Sequence, residues 1–173
     1  MGSDIYSFAE VRKNGKWEKI GDVFPLDDFD KELKKKDFGD NPFNWRAYSL
    51  FGWLADVRNY SHVPPISQPR GFPADISSDV QQENDDMGVG GHSRSWLSLA
   101  ELLEVDYEKV FWARRVTKQT ALNEWNGAAL ANEGEGKHIT LREHLSPAYF
   151  EVLEVLKTLG NPDDVRIVFW FDD

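Results

Sequence analysis

"DVRIVFWFDD", residues 164–173, decides the fold of this chain. The run from Val165 to Phe171 is apolar and β-branched or aromatic, so it reads as a buried central strand. The opposite end of the chain supplies its neighbours. In "DIYSFAEVRKNGKWEKIGDV", Ile5, Ser7 and Ala9 lie on one face of a strand and Tyr6, Phe8 and Glu10 on the other, with Asn14-Gly15 and then Trp17 to Ile20 following. Asn and Gly both tolerate the positive φ of a type I′ turn, which predicts a hairpin with strands at 4–12 and 16–20. The terminal strands are expected to share one sheet.

Between these ends the spacing is mostly helical. "FDKELKKKD" predicts a short surface helix, ended by Gly39 and Pro42, whose lysines read as a solvated face. In "RAYSLFGWLADVRNY", Tyr48, Phe51, Leu54, Ala55 and Arg58 make a helical stripe widened by Leu50, Trp53 and Val57, ending near Asn59 ahead of Pro64 and Pro65. Gly52 inside it points to tight packing against a neighbour. Ser98 and Glu101 form a capping box at the start of a second helix, and residues 110–131 read as a third, with an extended Val110–Val116 as the alternative. Thr140 with Glu143, then Ser146-Pro147, open a last helix that Gly160 closes. The expected class is α+β: a single domain with a mixed or antiparallel sheet, an N-terminal hairpin and a C-terminal strand, packed by three to four helices around a long irregular central loop.

Composition narrows the functions. The 173 residues carry a formal net charge of −10 and no cysteine, which removes disulfides, thiol nucleophiles and Cys-ligated zinc. So acidic a chain is a poor partner for duplex nucleic acid, whose binding rests on many Lys and Arg neutralising phosphates. No apolar run approaches a membrane span and nothing resembles a signal peptide, so a soluble cytoplasmic protein is expected.

The central segment, residues 69–99, shows no periodicity until its last residues and holds the candidate site. Ordering it costs roughly 1–2 kcal/mol per residue, so a loop of this length is functional or disordered. Arg58, Arg70 and Arg94 border it, and guanidinium matches phosphate in a planar fork. The competing reading pairs each arginine with a carboxylate, for example Arg58 with Asp56 or Asp75. Gly88, Gly90 and Gly91 with Ser93 and Ser95 lie just before a helix start, the arrangement of a generic anion site, although the spacing matches no nucleotide-binding motif. Phe72 and Trp96 offer ring faces to a base. Asn59, Gly71 and His92 complete the expected ligand-binding set.

Other chemistries find less support. The four histidines lack metal-ligand spacing, and a site of His92, Asp85, Asp86 and Asp4 is set aside. Ser93 is not in a nucleophile elbow, and His92 beside Ser93 in sequence is a poor nucleophile–base pair. No metal, cofactor or catalytic residue is assigned.

The blocks "GSDIYSFAEVRKNGKWE", "YSLFGWLADVRNY", "PISQPRGFPADIS", "GHSRSWLSLAELL" and "VRIVFWFDD" resemble a family of small proteins encoded mainly by bacteriophages and prophages, whose members typically open Gly-Cys-Asp-Ile-His. The resemblance spans most of the chain except 25–44 and 107–138; Ser3 and Tyr6 stand where the family has Cys and His. It implies a phage origin, and by analogy an anti-defence role. The expected function is sequestration, without turnover, of a small phosphorylated nucleotide immune signal, cyclic ADP-ribose-like. A hydrolase of the same ligand class, using His92 and an acidic neighbour, and an acidic inhibitor of a host protein are the alternatives. Self-association into a homo-oligomer is left open.

Overall fold

The computed structural model describes residues 2–117, 128–130 and 136–173. In chain order the elements are strands β1 (Asp4–Lys13), β2 (Lys16–Ile20) and β3 (Phe24–Pro25), helix α1 (Asp28–Lys34), strand β4 (Phe38–Gly39), and helices α2 (Tyr48–Ala55) and α3 (Ser78–Met87). There follow β5 (His92–Ser98), α4 (Leu99–Glu104), β6 (Val110–Ala113), β7 (Arg115–Thr117), β8 (Ala128–Leu130), β9 (Lys137–Thr140), α5 (Leu141–Lys157) and β10 (Val165–Asp172). The class is α+β, and the chain divides into two compact units.

The first unit comprises Met1–Arg46, Pro69–Val105 and Ala148–Asp173. Its centre is an antiparallel sheet in the order β2-β1-β10-β5, so the terminal strands pair as the sequence predicts, with β10 inside. Asn14 and Gly15, at φ of 53° and 76°, close the hairpin as a positive-φ pair. Every residue from Val165 to Phe171 is buried, because both faces of the sheet are covered. On one face Ser7, Ala9 and Val11 lie beside Phe169, Ile167 and Val165. There the Ser7 hydroxyl accepts from the Phe43 N–H at 2.9 Å, and Phe43 stacks on Tyr149 of α5. On the other face Phe8, Val168 and Trp170 pack against Val80 of α3, with Tyr6, Phe72, Ile76, Met87 and Trp96 around them.

The second unit comprises Ala47–Gln68 and Asp106–Pro147. All of Leu50 to Ala55 in α2 is buried, consistent with the broad apolar stripe, but the helix ends at Ala55 rather than near Asn59. Asp56 turns left-handed at φ 59°, and the Asn59 side chain ties the turn by donating to Asp56 Oδ1 and to the Val63 carbonyl while accepting from the Val63 N–H. β6 pairs with β9 and β7 with β8. The helix expected over 110–131 is therefore corrected, in favour of the extended alternative at Val110–Val116, to strands at 110–113, 115–117 and 128–130; residues 118–127 and 131 lie outside the described ones. α5 opens on the Thr140–Glu143 cap, breaks at Ser146 with φ 68°, and restarts at Pro147.

Two features of the central segment differ from expectation. Residues 78–87 form α3, held at its start by Ser77, whose Oγ accepts from the Val80 N–H. Residues 92–98 form the edge strand β5. The irregular stretch thus shrinks to residues 69–77 and the short turn at 88–91.

Candidate functional site: an arginine–tryptophan stack beside a cleft

The site grows from one residue of β10. Arg166 interrupts an apolar strand, and its side chain points to the face that carries Glu10 directly opposite it in register. A buried charge needs a partner. Arg166 Nε donates to Glu10 Oε1 at 2.7 Å, Nη1 to Asp75 Oδ1 at 2.8 Å and Nη2 to the Asp75 carbonyl at 3.2 Å. Glu10, fully buried, also accepts from the Ser77 N–H at 2.7 Å, which anchors the start of α3 to the sheet.

Two indoles flank this guanidinium. Its centre lies 3.9 Å from the Trp17 ring centroid and 5.8 Å from that of Trp96, while Trp17 Nε1 donates to Asp75 Oδ2 at 3.0 Å. The same indoles carry two further cations, Arg12 over Trp17 and Arg70 over Trp96, each 5.2 Å from the ring centroid. Arg12, Trp17, Arg166, Trp96 and Arg70 therefore alternate charge and ring, with one member from each strand of the sheet and the last from the segment before α3. Each contact contributes about 0.5–2 kcal/mol according to its exposure.

The stack borders an open cleft of about 430 Å³ lined by Trp17, Trp96, Arg12, Arg166, Asp75 and Glu101 among others. Two of its carboxylates, Asp75 and Glu101, are ionised at neutral pH. The bond from Arg166 holds Asp75 below the usual carboxylate range, and the bidentate bond from Arg70 does the same for Glu101 against the opposing effect of its partial burial.

The residues expected to bind ligand are only partly brought together. Arg58 and Asn59 belong to the second unit: Arg58 Nη1 donates to Tyr60 Oη, and both ends of the Asn59 amide serve the turn after α2. Asp75 pairs with Arg166, not with Arg58. Arg70 and Arg94 are neighbours through backbone, since the Gly71 N–H donates to the Arg94 carbonyl at 2.8 Å and the Arg70 N–H to Ser95 Oγ at 3.1 Å. Their guanidinium groups go elsewhere, Arg70 to Glu101 and Trp96, Arg94 to Asn84 Oδ1, the Gly91 carbonyl and the face of Phe72. Phe72 lines the cleft and meets Trp170 edge-on at 5.5 Å. Gly91 is a close-approach position, where a Cβ would come within 3.2 Å of Arg94, Trp170 and Met87.

One expectation is overturned. Gly91 to Trp96 do not loop into a helix start, because His92–Ser98 is a strand hydrogen-bonded to β10. α4 has six residues, and its start is closed by the Ser98–Glu101 capping box, in which Ser98 Oγ accepts from the Glu101 N–H and Glu101 Oε1 from the Ser98 N–H. His92 and Ser93 sit at the far end of β5, where the histidine Nδ1 lies 3.0 Å from Ser93 Oγ, a pairing that the sequence argument discounts.

Sequence reasoning missed Glu10, Arg12, Trp17, Asp75 and Arg166. The signal lay in two places, an arginine inside the run "VRIVFWF" and a glutamate in phase with Tyr6 and Phe8, each needing a buried partner. No family model matches this chain, and no curated protein or solved structure is similar enough to match it. No helix among the described residues is long and apolar enough to cross a membrane.

Proposed function

We propose that this protein binds a small phosphorylated nucleotide in the cleft beside the arginine–tryptophan stack and holds it without turnover. The supporting observation is the stack itself: two indoles lining one open cleft, each with an arginine guanidinium 5.2 Å from its ring centroid. A cleft of this volume lies within the roughly 300–1,000 Å³ of small-molecule sites. A base against an indole contributes about 1–3 kcal/mol.

Arg12 and Arg70, with side chains 42% and 31% exposed, are the cations a phosphate reaches. Glu101 competes for Arg70, yet its Oε1 also accepts from the Ser98 N–H and hydroxyl, so it keeps a place in the cap when Arg70 turns to a ligand. Binding rather than turnover is the reading because Ser98, the lining hydroxyl, is committed to that cap. A cyclic ADP-ribose-like immune signal, and a phage-encoded anti-defence role in the host cytoplasm, rest on the family resemblance and on this chemistry together.

Isothermal titration calorimetry with AMP, ADP-ribose and cyclic ADP-ribose tests the reading. At least one nucleotide binds saturably, Trp96→Ala weakens it by about tenfold, and chromatography after heat release returns it intact. Absence of heat with all three, or equal affinity in Trp96→Ala, removes the proposal; recovery of cleaved ligand replaces it with the hydrolase.

A further inference from the structure

At the other end of β5 from the cleft, the strand is irregular. His92 stands opposite Phe171 and Ser95 opposite Phe169, so Ser93 and Arg94 together face Trp170 alone, which is a β-bulge. Ser93 takes φ 53°, a left-handed conformation that costs a non-glycine residue about 1–3 kcal/mol. Bulges re-aim side chains, and this one turns the Ser93 hydroxyl back onto the ring of its neighbour, 3.0 Å from His92 Nδ1.

The ring is held from two sides. It stacks on Phe171 at 6.2 Å with 30° between the planes, and its Nε2 lies 3.6 Å from Asp173 Oδ1. Although the side chain as a whole is 39% exposed, Nε2 is shielded from solvent and has no hydrogen-bond partner among the described residues. The carboxylate is fixed in turn, because the buried Ser3 hydroxyl donates to the same Oδ1. Nε2–H directed at Asp173 leaves the Nδ1 lone pair facing the serine hydroxyl. That is the order of roles in a serine–histidine–carboxylate set, assembled from a bulge and the last strand rather than from an elbow.

We propose that Ser93, His92 and Asp173 form a nucleophilic site that cleaves small esters. Ser93 Oγ attacks the carbonyl carbon as its proton passes to His92 Nδ1; the bond to the alcohol oxygen breaks and that oxygen takes the proton. Water then attacks the acyl-serine, again losing a proton to Nδ1, and the proton returns to Ser93 Oγ as the acid leaves. Asp173, 3.6 Å from Nε2, faces the imidazolium as a positioning residue. The separation of 3.6 Å is the loose geometry common in sites without substrate.

A fluorophosphonate probe, with peptide mapping by mass spectrometry, and a p-nitrophenyl acetate assay test the site on the whole protein. Ser93 Oγ displaces fluoride from the probe phosphorus, so the mapped adduct falls on the peptide containing Ser93. Ser93→Ala abolishes both labelling and ester turnover, His92→Gln lowers both by about 100-fold or more, and Asp173→Asn lowers them less. Circular dichroism melts establish that each variant is folded. An adduct on another serine, no adduct on Ser93 in folded wild-type protein, or labelling undiminished in His92→Gln overturns the assignment. Nucleotide binding is read by calorimetry and ester cleavage by the adduct at Ser93, so failure of the one is distinguished from failure of the other.

Discussion

At the scale of the residue, Arg166 is the position on which most depends. Its guanidinium satisfies Glu10, orders Asp75 and separates the two indoles, all from a side chain 3% exposed. Replacing it by methionine leaves the Glu10 carboxylate buried with only the Ser77 N–H. Arg166→Met is therefore expected to destabilise the fold by about 3–5 kcal/mol in urea unfolding, the usual cost of an orphaned buried charge. The double variant Glu10→Gln with Arg166→Met recovers part of that loss, since the remaining amide carries no charge. Equal losses in the single and double variants would show that packing, not the charge pair, sets the effect.

At the scale of the element, Gly52 separates two physical accounts of α2. Helix propensity alone makes Gly52→Ala stabilising by up to about 1 kcal/mol. A Cβ there would lie 2.7 Å from Asn59 Oδ1 and 3.0 Å from Asn59 Cα, and Asn59 cannot swing aside because that oxygen accepts from Val63. The substitution is expected to cost about 1–3 kcal/mol, seen as a lowered melting temperature. The close neighbour was legible in the stripe, though not that it is the turn residue Asn59.

Elsewhere legibility followed burial. The hairpin, the central strand and the helix caps at Ser98 and Thr140 announced themselves because alternation, apolar runs and cap residues have direct backbone causes. α3 did not, since Val80 is its one buried residue and only Met87, at its last position, joins it against the core, which leaves no stripe to read. β5 was hidden for a related reason: its inward positions include the small, buried Ser95, which accepts from the Arg70 N–H, as well as Leu97, and its other face carries Arg94 and Trp96. The strands at 110–113 and 115–117 follow β propensity, which lost to a helical reading of residues outside the described ones. Of the candidate site, Arg70, Phe72 and Trp96 were found as loop residues. Their cleft partners came from the sheet, where a charge within an apolar run was the signal.

At the scale of the whole molecule, pH and ligand test the account. In the second unit His144 lies with Nε2 3.1 Å from the Ser49 carbonyl and edge-on to Phe111, and burial holds its pKa below the ordinary value of 6.5. Above that value the group is neutral in both folded and unfolded chains. As pH falls below it the unfolded chain takes up the proton first, so stability declines through the folded pKa. Chemical denaturation between pH 8 and 5 is expected to show this decline, and His144→Asn to flatten it; an unchanged slope in the variant would assign the decline to other groups.

The proposed nucleotide site is tested most directly by following the indole N–H resonances of a ¹⁵N-labelled sample during titration with cyclic ADP-ribose and ADP-ribose. The account predicts that the signals of Trp17 and Trp96, assigned by substitution, shift saturably while that of Trp53, buried in the second unit, stays in place. Signals that remain fixed at both indoles, or that move only at tryptophans away from the cleft, would contradict it.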